Sequence, residues 1–240
     1  MGGRRVSTKR YTYSRVRAGV RALGAGLLLA GVLTASPGCN IVGPAFYLVH
    51  GPEKIPPVFK LDPKRPTVVF IDDPSNRIPR RQLRLIMGQT VDQILLQKGL
   101  VKADDKQNHL ISSGSAMTVA AKDKSDSPMS ITQIGRAVGA EVVIWIMVDQ
   151  FALAPDGQTL SPTVAIRMKV IDAVADKRLW PEESVGKPFV YVYPSGSAQP
   201  PETASARSQA ELNLAEYSGR GIAELFYEVE KPLSVRAGNK

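Results

Sequence analysis

SITQIGRAVGAEVVIWIMV, residues 130–148, is the stretch that decides how this chain folds. Ser130 and Gln133 stand three apart, the spacing at which a cap hydroxyl and the side-chain amide of the third helical residue satisfy each other's backbone N–H groups. Met129 and Ile134 occupy the flanking apolar positions, and Gly139 stands where a left-handed C-terminal cap belongs. This chemistry predicts a helix of about eight residues. The run Val142 to Val148 follows, apolar without alternation. A strand of that kind is covered on both faces and lies inside a sheet.

The neighbouring segments alternate in the same way. Thr67-Val-Val-Phe-Ile71 is a short buried strand that ends at Asp72-Asp73-Pro74. From Arg80 to Lys98 the apolar residues Leu83, Ile86, Met87, Val91, Ile94 and Leu95 fall three and four apart, so they form one helix stripe that Gly99 closes. Leu110-Ile111 reads as a short strand, and 115–122 as a helical turn. Pro155-Asp156-Gly157 marks a turn. Val164, Ile166, Met168 and Val170 then share one strand face, and Ala165, Arg167 and Lys169 share the other, solvated one. Residues 177–181 and 187–193 predict two short strands, 194–203 a loop, and 205–230 a helix stopped by Pro232. Its stripe is Leu212, Ala215, Gly219, Ile222, Leu225, Phe226 and Val229. Strand–helix alternation of this order predicts an α/β domain over 67–231, with a single mixed sheet packed against helices and a long C-terminal helix.

The 130–148 segment, with Arg167-Met-Lys-Val-Ile-Asp172 and Lys177-Arg-Leu-Trp180 after it, resembles the TolB amino-terminal-like domain. That fold is shared by the curli-secretion channel lipoprotein and by lipoprotein activators of peptidoglycan synthases. The resemblance spans about residues 67–230 and implies a TolB N-terminal-like fold more strongly than any function. The long alternating hairpins a membrane pore needs are missing from the sequence. A tethered single domain is therefore more similar to the synthase-activator kind.

The first 39 residues supply an address. Seven basic residues (Arg4, Arg5, Lys9, Arg10, Arg15, Arg17, Arg21) precede the apolar run 22–33, and small residues lead into Cys39, the sole cysteine. Basic region, short apolar core and small residues in that order form an export signal, 1–38. The core is shorter than the roughly 20 residues of a membrane-spanning helix. Gly38-Cys39 resembles the lipobox of bacterial lipoproteins, although Ser36 stands where an aliphatic residue is usual. Cys39 is thus the expected lipidation site; cleavage without lipidation and an uncleaved anchor are the alternatives. Several acyl chains anchor firmly, because each buried methylene contributes about 0.8 kcal/mol. Residues 39–66, with prolines at 44, 52, 56, 57, 63 and 66, read as a tether that carries an apolar patch, Phe46 to Val49. Extended at about 3.1 Å per residue, it reaches on the order of 80 Å. Residues 232–240 read as a flexible tail.

The net charge of +9, from 31 basic and 22 acidic residues, belongs mostly to the signal. Without the seven basic residues of 1–38 the balance is 24 against 22, and no basic helix with interleaved aromatics appears, so no nucleic acid is expected. With Cys39 committed to lipid, no thiol remains for a disulfide or a thiolate metal site.

Candidate chemistry is sparse. Asp72 and Asp73 stand at the carboxyl end of a strand, where α/β proteins bind ligands, and two carboxylates could hold magnesium there; a plain turn is the competing reading. Ser112-Ser-Gly-Ser115 could present amides to an anion or simply cap a helix. No Gly-x-Ser-x-Gly nucleophile elbow occurs, and Ser184 to Lys187, with Ser-x-x-Lys spacing, falls in a loop. His50 and His109 are far apart in the chain and suggest neither a triad nor a zinc site. Trp145 and Trp180 read as core or sheet-packing residues, with a sugar platform as the competing reading.

Two expectations follow. The first is a non-enzymatic envelope lipoprotein without cofactor, held to a membrane through its N-terminal lipid. Its partners are other envelope proteins or copies of itself. Asn40 favours the outer membrane, facing the periplasm. The contact surface is the edge strands and the 194–203 loop, with Trp180, Phe189, Tyr191 and Tyr193 as contact residues. The second is an envelope hydrolase or small-ligand-binding protein using Asp72, Asp73 and Ser113, which requires these side chains to converge in one pocket.

Overall fold

Val142–Ala152 forms the strand on which the sheet is built, parallel to one neighbour and antiparallel to the other. The structure, a computed structural model, describes residues 54–102, 109–122 and 128–230. The export signal, Cys39, the tether through residue 53 with its Phe46–Val49 patch and His50, and the 232–240 tail lie outside the described residues. The elements in chain order are β1 (Lys54–Ile55), β2 (Thr67–Asp72), α1 (Arg81–Gln97), β3 (Leu110–Ile111), α2 (Ser113–Lys122), α3 (Ile131–Ala137), β4 (Val142–Ala152), β5 (Thr163–Asp172), β6 (Lys177–Trp180), β7 (Lys187–Val192), α4 (Ala204–Glu224) and β8 (Val229–Glu230).

The main sheet runs β3-β2-β4-β5-β6, and β7 also pairs with β5. β2 is parallel to β3 and β4, whereas β5 is antiparallel to β4, β6 and β7. Two short strands thus share one edge of β5. β7 takes Thr163 to Met168, and β6 takes Val170 to Asp172. This is the mixed α/β sheet expected.

Alternation assigns the two faces. Ile144, Ile146 and Val148 pair with Val170, Met168 and Ile166, and all six are buried. α1 covers this face with Leu83, Met87, Val91 and Leu95. Each such side chain contributes roughly 1.5–3 kcal/mol on burial. α4 lies beside α1, running in the same direction: Arg80 reaches Ser208 and Glu211, and Gly219 abuts Met87 and Thr90 farther along. A Cβ on Gly219 would stand 2.7 Å from the Met87 carbonyl oxygen and 2.9 Å from Thr90 Cβ, so the two backbones meet where no side chain intervenes.

α3 covers the start of the opposite face. Its capping box forms as expected: Ser130 Oγ accepts Gln133 N–H at 3.2 Å, and Gln133 Oε1 accepts Ser130 N–H at 2.7 Å. Gly139 takes φ +80°. Gly135 lets the helix approach Val143 and Ala173 closely. Farther along, this face has Met147, Gln150, Ala165 and Arg167 half-buried, and Pro188, Val190 and Val192 exposed.

Two boundaries differ from the sequence reading. The proline pattern predicts a tether up to residue 66, but residues 54–66 strap the folded body. β1 pairs with β8, Val58 N–H donates to the Leu225 carbonyl at 2.8 Å, and Leu61 is buried. Arg65 reaches Glu141 at 2.9 Å and Asp172 at 2.8 Å. The C-terminal helix, expected to reach Glu230, stops at Glu224. Tight turns at Leu225 and Phe226 lead out of it, and Val229 joins β1 in a strand pair. Among the described residues no helix is long and apolar enough to cross a membrane.

The glycine contact between α1 and α4 makes a prediction. Gly219→Val should lower unfolding free energy by at least about 2 kcal/mol, as overpacking does. Gly196→Ala, in a loop with open space around it, should change it by less than about 0.5 kcal/mol. Urea unfolding of both variants checks this.

Candidate functional site

The carboxyl ends of the strands give each expected polar residue a separate task. Asp73 is 5% exposed, and its two oxygens accept Arg77 N–H at 2.7 Å and Ile78 N–H at 2.9 Å. It holds the turn that follows β2, in which Asn76 takes φ +50°. Asp72 Oδ2 accepts the Trp145 indole N–H at 2.9 Å, which ties β2 to β4 across the sheet face. Ser113 is fully buried, and its Oγ has no hydrogen-bond partner among the described residues. The convergence required for a hydrolase is therefore not formed by hydrogen bonds among Asp72, Asp73 and Ser113. No group of three or more His, Cys, Asp or Glu among the described residues is placed to hold a metal ion. The His109 carbonyl accepts Thr67 N–H at 2.7 Å, and Ser184 to Lys187 leads into β7 through Gly186 at φ +98°.

The anion reading of Ser112 to Ser115 meets a carboxylate from within. Asp92 on α1 accepts the Ser113 N–H at 2.8 Å and so caps α2. Burial pushes the Asp92 carboxyl up to about 6, against the opposing effect of the hydrogen bond it accepts from the Ser113 N–H. Sequence reasoning missed Asp92, although a signal was present. Residue 92 falls on the stripe of Gly88, Val91 and Leu95, where a charge has no water. Beside this cap, Leu85, Gln89, Ser115, Met117, Thr118 and Val138 line an open groove of about 620 Å³.

The β6–β7 edge carries the expected contact aromatics, and the structure turns them inward. Trp180 stacks on Phe189, with ring centroids 6.3 Å apart. Tyr193 meets Tyr217 of α4 edge-to-face at 5.4 Å. Tyr191 lies against α4 at Gly221, where a Cβ would come within 2.5 Å of its ring. Burial pushes its phenol up, with Glu224 adding to the effect, and its hydroxyl has no hydrogen-bond partner among the described residues. All four pack against the core.

What β7 presents outward is its other face: Val190 is 63% exposed and Val192 50%. Lys-Pro-Phe-Val-Tyr-Val shows both faces in its alternation, but which one α4 covers depends on a distant helix. On the same side of the sheet, Arg167 forks onto Asp149, with Nε at 2.9 Å from Oδ2 and Nη2 at 2.6 Å from Oδ1. Lys169 Nζ stands 4.8 Å over the Trp145 ring. Burial, then Arg178 and Arg167, pull the Lys169 ammonium below its ordinary value. The result is an apolar strip on β7 beside a row of charges on β5.

No protein-family model and no curated protein matches this chain. Among solved structures it is similar to a PelC dodecamer from Paraburkholderia phytofirmans, at 11% identity over 73% of this chain and 96% of that one, TM-score 0.38. It is also similar to protein XCC0632 from Xanthomonas campestris, at 10% identity over 70% and 88% of the two chains, TM-score 0.41. Lipoprotein GNA1162 from Neisseria meningitidis is a third, at 12% identity over 55% and 82%, TM-score 0.34.

The Asp92 cap sets a pH dependence. The folded chain keeps this proton up to about pH 6, whereas an ordinary aspartate releases it near 3.8. Between those values the folded state binds more protons, so this group's contribution to stability falls as pH rises through the window. Asp92→Asn keeps an acceptor for Ser113 N–H without the charge. Melting temperatures of the variant should change less between pH 4 and pH 6.5 than those of the parent, and should not fall below the parent at pH 8.

Proposed function

We propose that this chain is a membrane-anchored cell-envelope lipoprotein whose α/β domain, of TolB amino-terminal-like type, works without catalysis as a protein-binding or assembly module. The export signal and Cys39 support the anchoring, and Asn40 favours the outer membrane with the domain in the periplasm. The observation that carries the binding role is β7. It pairs with β5 along one edge, and among the described residues no strand pairs along its other edge. Its outward face shows Val190 and Val192.

An edge of this kind accepts an extended segment: backbone N–H and C=O groups supply affinity, and alternate side chains supply selectivity. The occupant proposed is an extended segment of another envelope protein, laid along β7. The inward aromatics serve it indirectly, since Phe189, Tyr191 and Tyr193 fasten the edge to the core. Asp72, Asp73 and Asp92 are absorbed in turns, a cross-strand bond and a helix cap, which leaves the edge as the larger unspent feature.

One envelope preparation tests both halves. The intact mass of the native protein should correspond to a chain beginning at Cys39 with acyl groups attached. A photo-crosslinking residue at 190 or 192 should give a discrete protein adduct, and the same residue at Gln97 should not. Val190→Lys should reduce recovery of that adduct from position 192 at least fivefold without changing the melting temperature. An unmodified cysteine contradicts the anchor, and equal crosslinking at 97 and 190 contradicts the edge.

A further inference from the structure

We infer that the segment β7 receives is a short, proline-free strand of another protein, apolar at the two positions beside Val190 and Val192, an inference that rests on the edge reading above. The direction of each backbone group follows from one bond. Tyr193 N–H donates to the Pro162 carbonyl at 2.8 Å, just past the end of the β5–β7 pair. Bonded and non-bonded pairs alternate along an antiparallel ladder. β7 keeps one register from the Lys187–Met168 pair to the Val192–Thr163 pair. Phe189 and Tyr191 therefore also turn their N–H and C=O groups to β5, whereas Pro188, Val190 and Val192 turn theirs to the free edge. Pro188 fits this alternation, because a strand tolerates proline where the missing N–H would face outward. Pro194, two residues past Val192, has no N–H either. Between these prolines the edge offers the N–H groups of Val190 and Val192 alone.

The prolines decide between occupants. Two copies joined antiparallel about Tyr191 would set Pro188 of one against Pro194 of the other. Neither proline has a proton to give, so those outer rungs stay empty and bonds remain only between Val190 and Val192. A foreign segment without proline fills the same rungs and also donates to the Pro188 carbonyl. Edge prolines are a recognised guard against self-pairing of this kind. The side chains select further. Val190 and Val192 are 63% and 50% exposed, and their neighbours across the β5–β7 pair are the uncharged Ala165 and Thr163. An apolar side chain laid beside the valines covers them, whereas a charge there finds no partner. Charge begins beside Pro188, where Arg167 is already forked onto Asp149. Glu182, Glu183 and Lys187 are exposed ahead of Pro188, before the valines are reached.

The test uses the full chain in neutral detergent, with amide resonances followed residue by residue during titration. The probe is an end-blocked peptide of alternating threonine and valine. It should shift the Val190 and Val192 amides saturably. The same peptide with aspartate in place of valine should bind at least fivefold more weakly. Val190→Pro removes an outward donor and no bond to β5, and should weaken binding of the valine peptide at least fivefold. Pro188→Val restores a donor and should tighten it at least twofold. Should Val190→Pro fail to fold, the aspartate peptide and Pro188→Val carry the assignment. No saturable shift, equal binding of the two peptides, no loss with Val190→Pro, no gain with Pro188→Val, or a crosslinked adduct between two copies through 190 or 192 overturns this inference and leaves the free edge as a binding surface. Absence of any adduct from 190 and 192 in the envelope removes the edge reading itself, and this inference with it.

Discussion

The pairing of β4 with β2 on one side and β5 on the other is the constraint on which the rest of this structure depends. A strand parallel to one neighbour and antiparallel to the next has its register set twice, and any slip would turn its buried residues toward solvent. β4 has the residues for this: Val142 to Ile146 are all buried, so both faces can be covered. α1 and α4 settle on the face of Ile144 and Ile146. α3 reaches the other face at Val143 through Gly135. The Asp72–Trp145 bond then secures the parallel pair near the carboxyl end of β2.

From that strand the two sides of the molecule take different roles. Toward β2 and β3 the sheet is enclosed, and polar groups such as Asp73 and Asp92 are consumed in fastening turns and helix starts. Toward β7 the helical cover on one face ends, and the strand keeps a bonding edge and a valine face exposed. Phe189, Tyr191 and Tyr193 make such an edge tenable, because each uses its ring to fix β7 against the core and α4 while leaving the backbone groups of the outer edge unpaired by any described strand.

Local chemistry makes much of this fold legible in the amino-acid sequence. The capping box at Ser130 and the glycine at 139 mark α3 to within a residue or two. The unbroken apolar run 142–148 marks the sheet's interior, and the alternation of 163–170 assigns β5's two faces. Features made by distant partners are less legible. β1 and β8 are two residues each and exist only because the ends of the domain meet, so residues 54–66 read as a tether. Trp180, Phe189, Tyr191 and Tyr193 fall in segments that read correctly as short strands, but their direction depends on α4, which lies later in the chain.

Amide hydrogen exchange resolved by residue tests the central role of β4 most directly, because protection reports how far the structure must open before each N–H is released. The slowest exchange is expected at residues 143–148, with 68–71 and 164–170 close behind. Residues 177–180 and the outward amides of 187–192 should exchange faster by orders of magnitude. If residues 143–148 exchanged as quickly as the β7 edge, β4 would not be the strand that holds the sheet together.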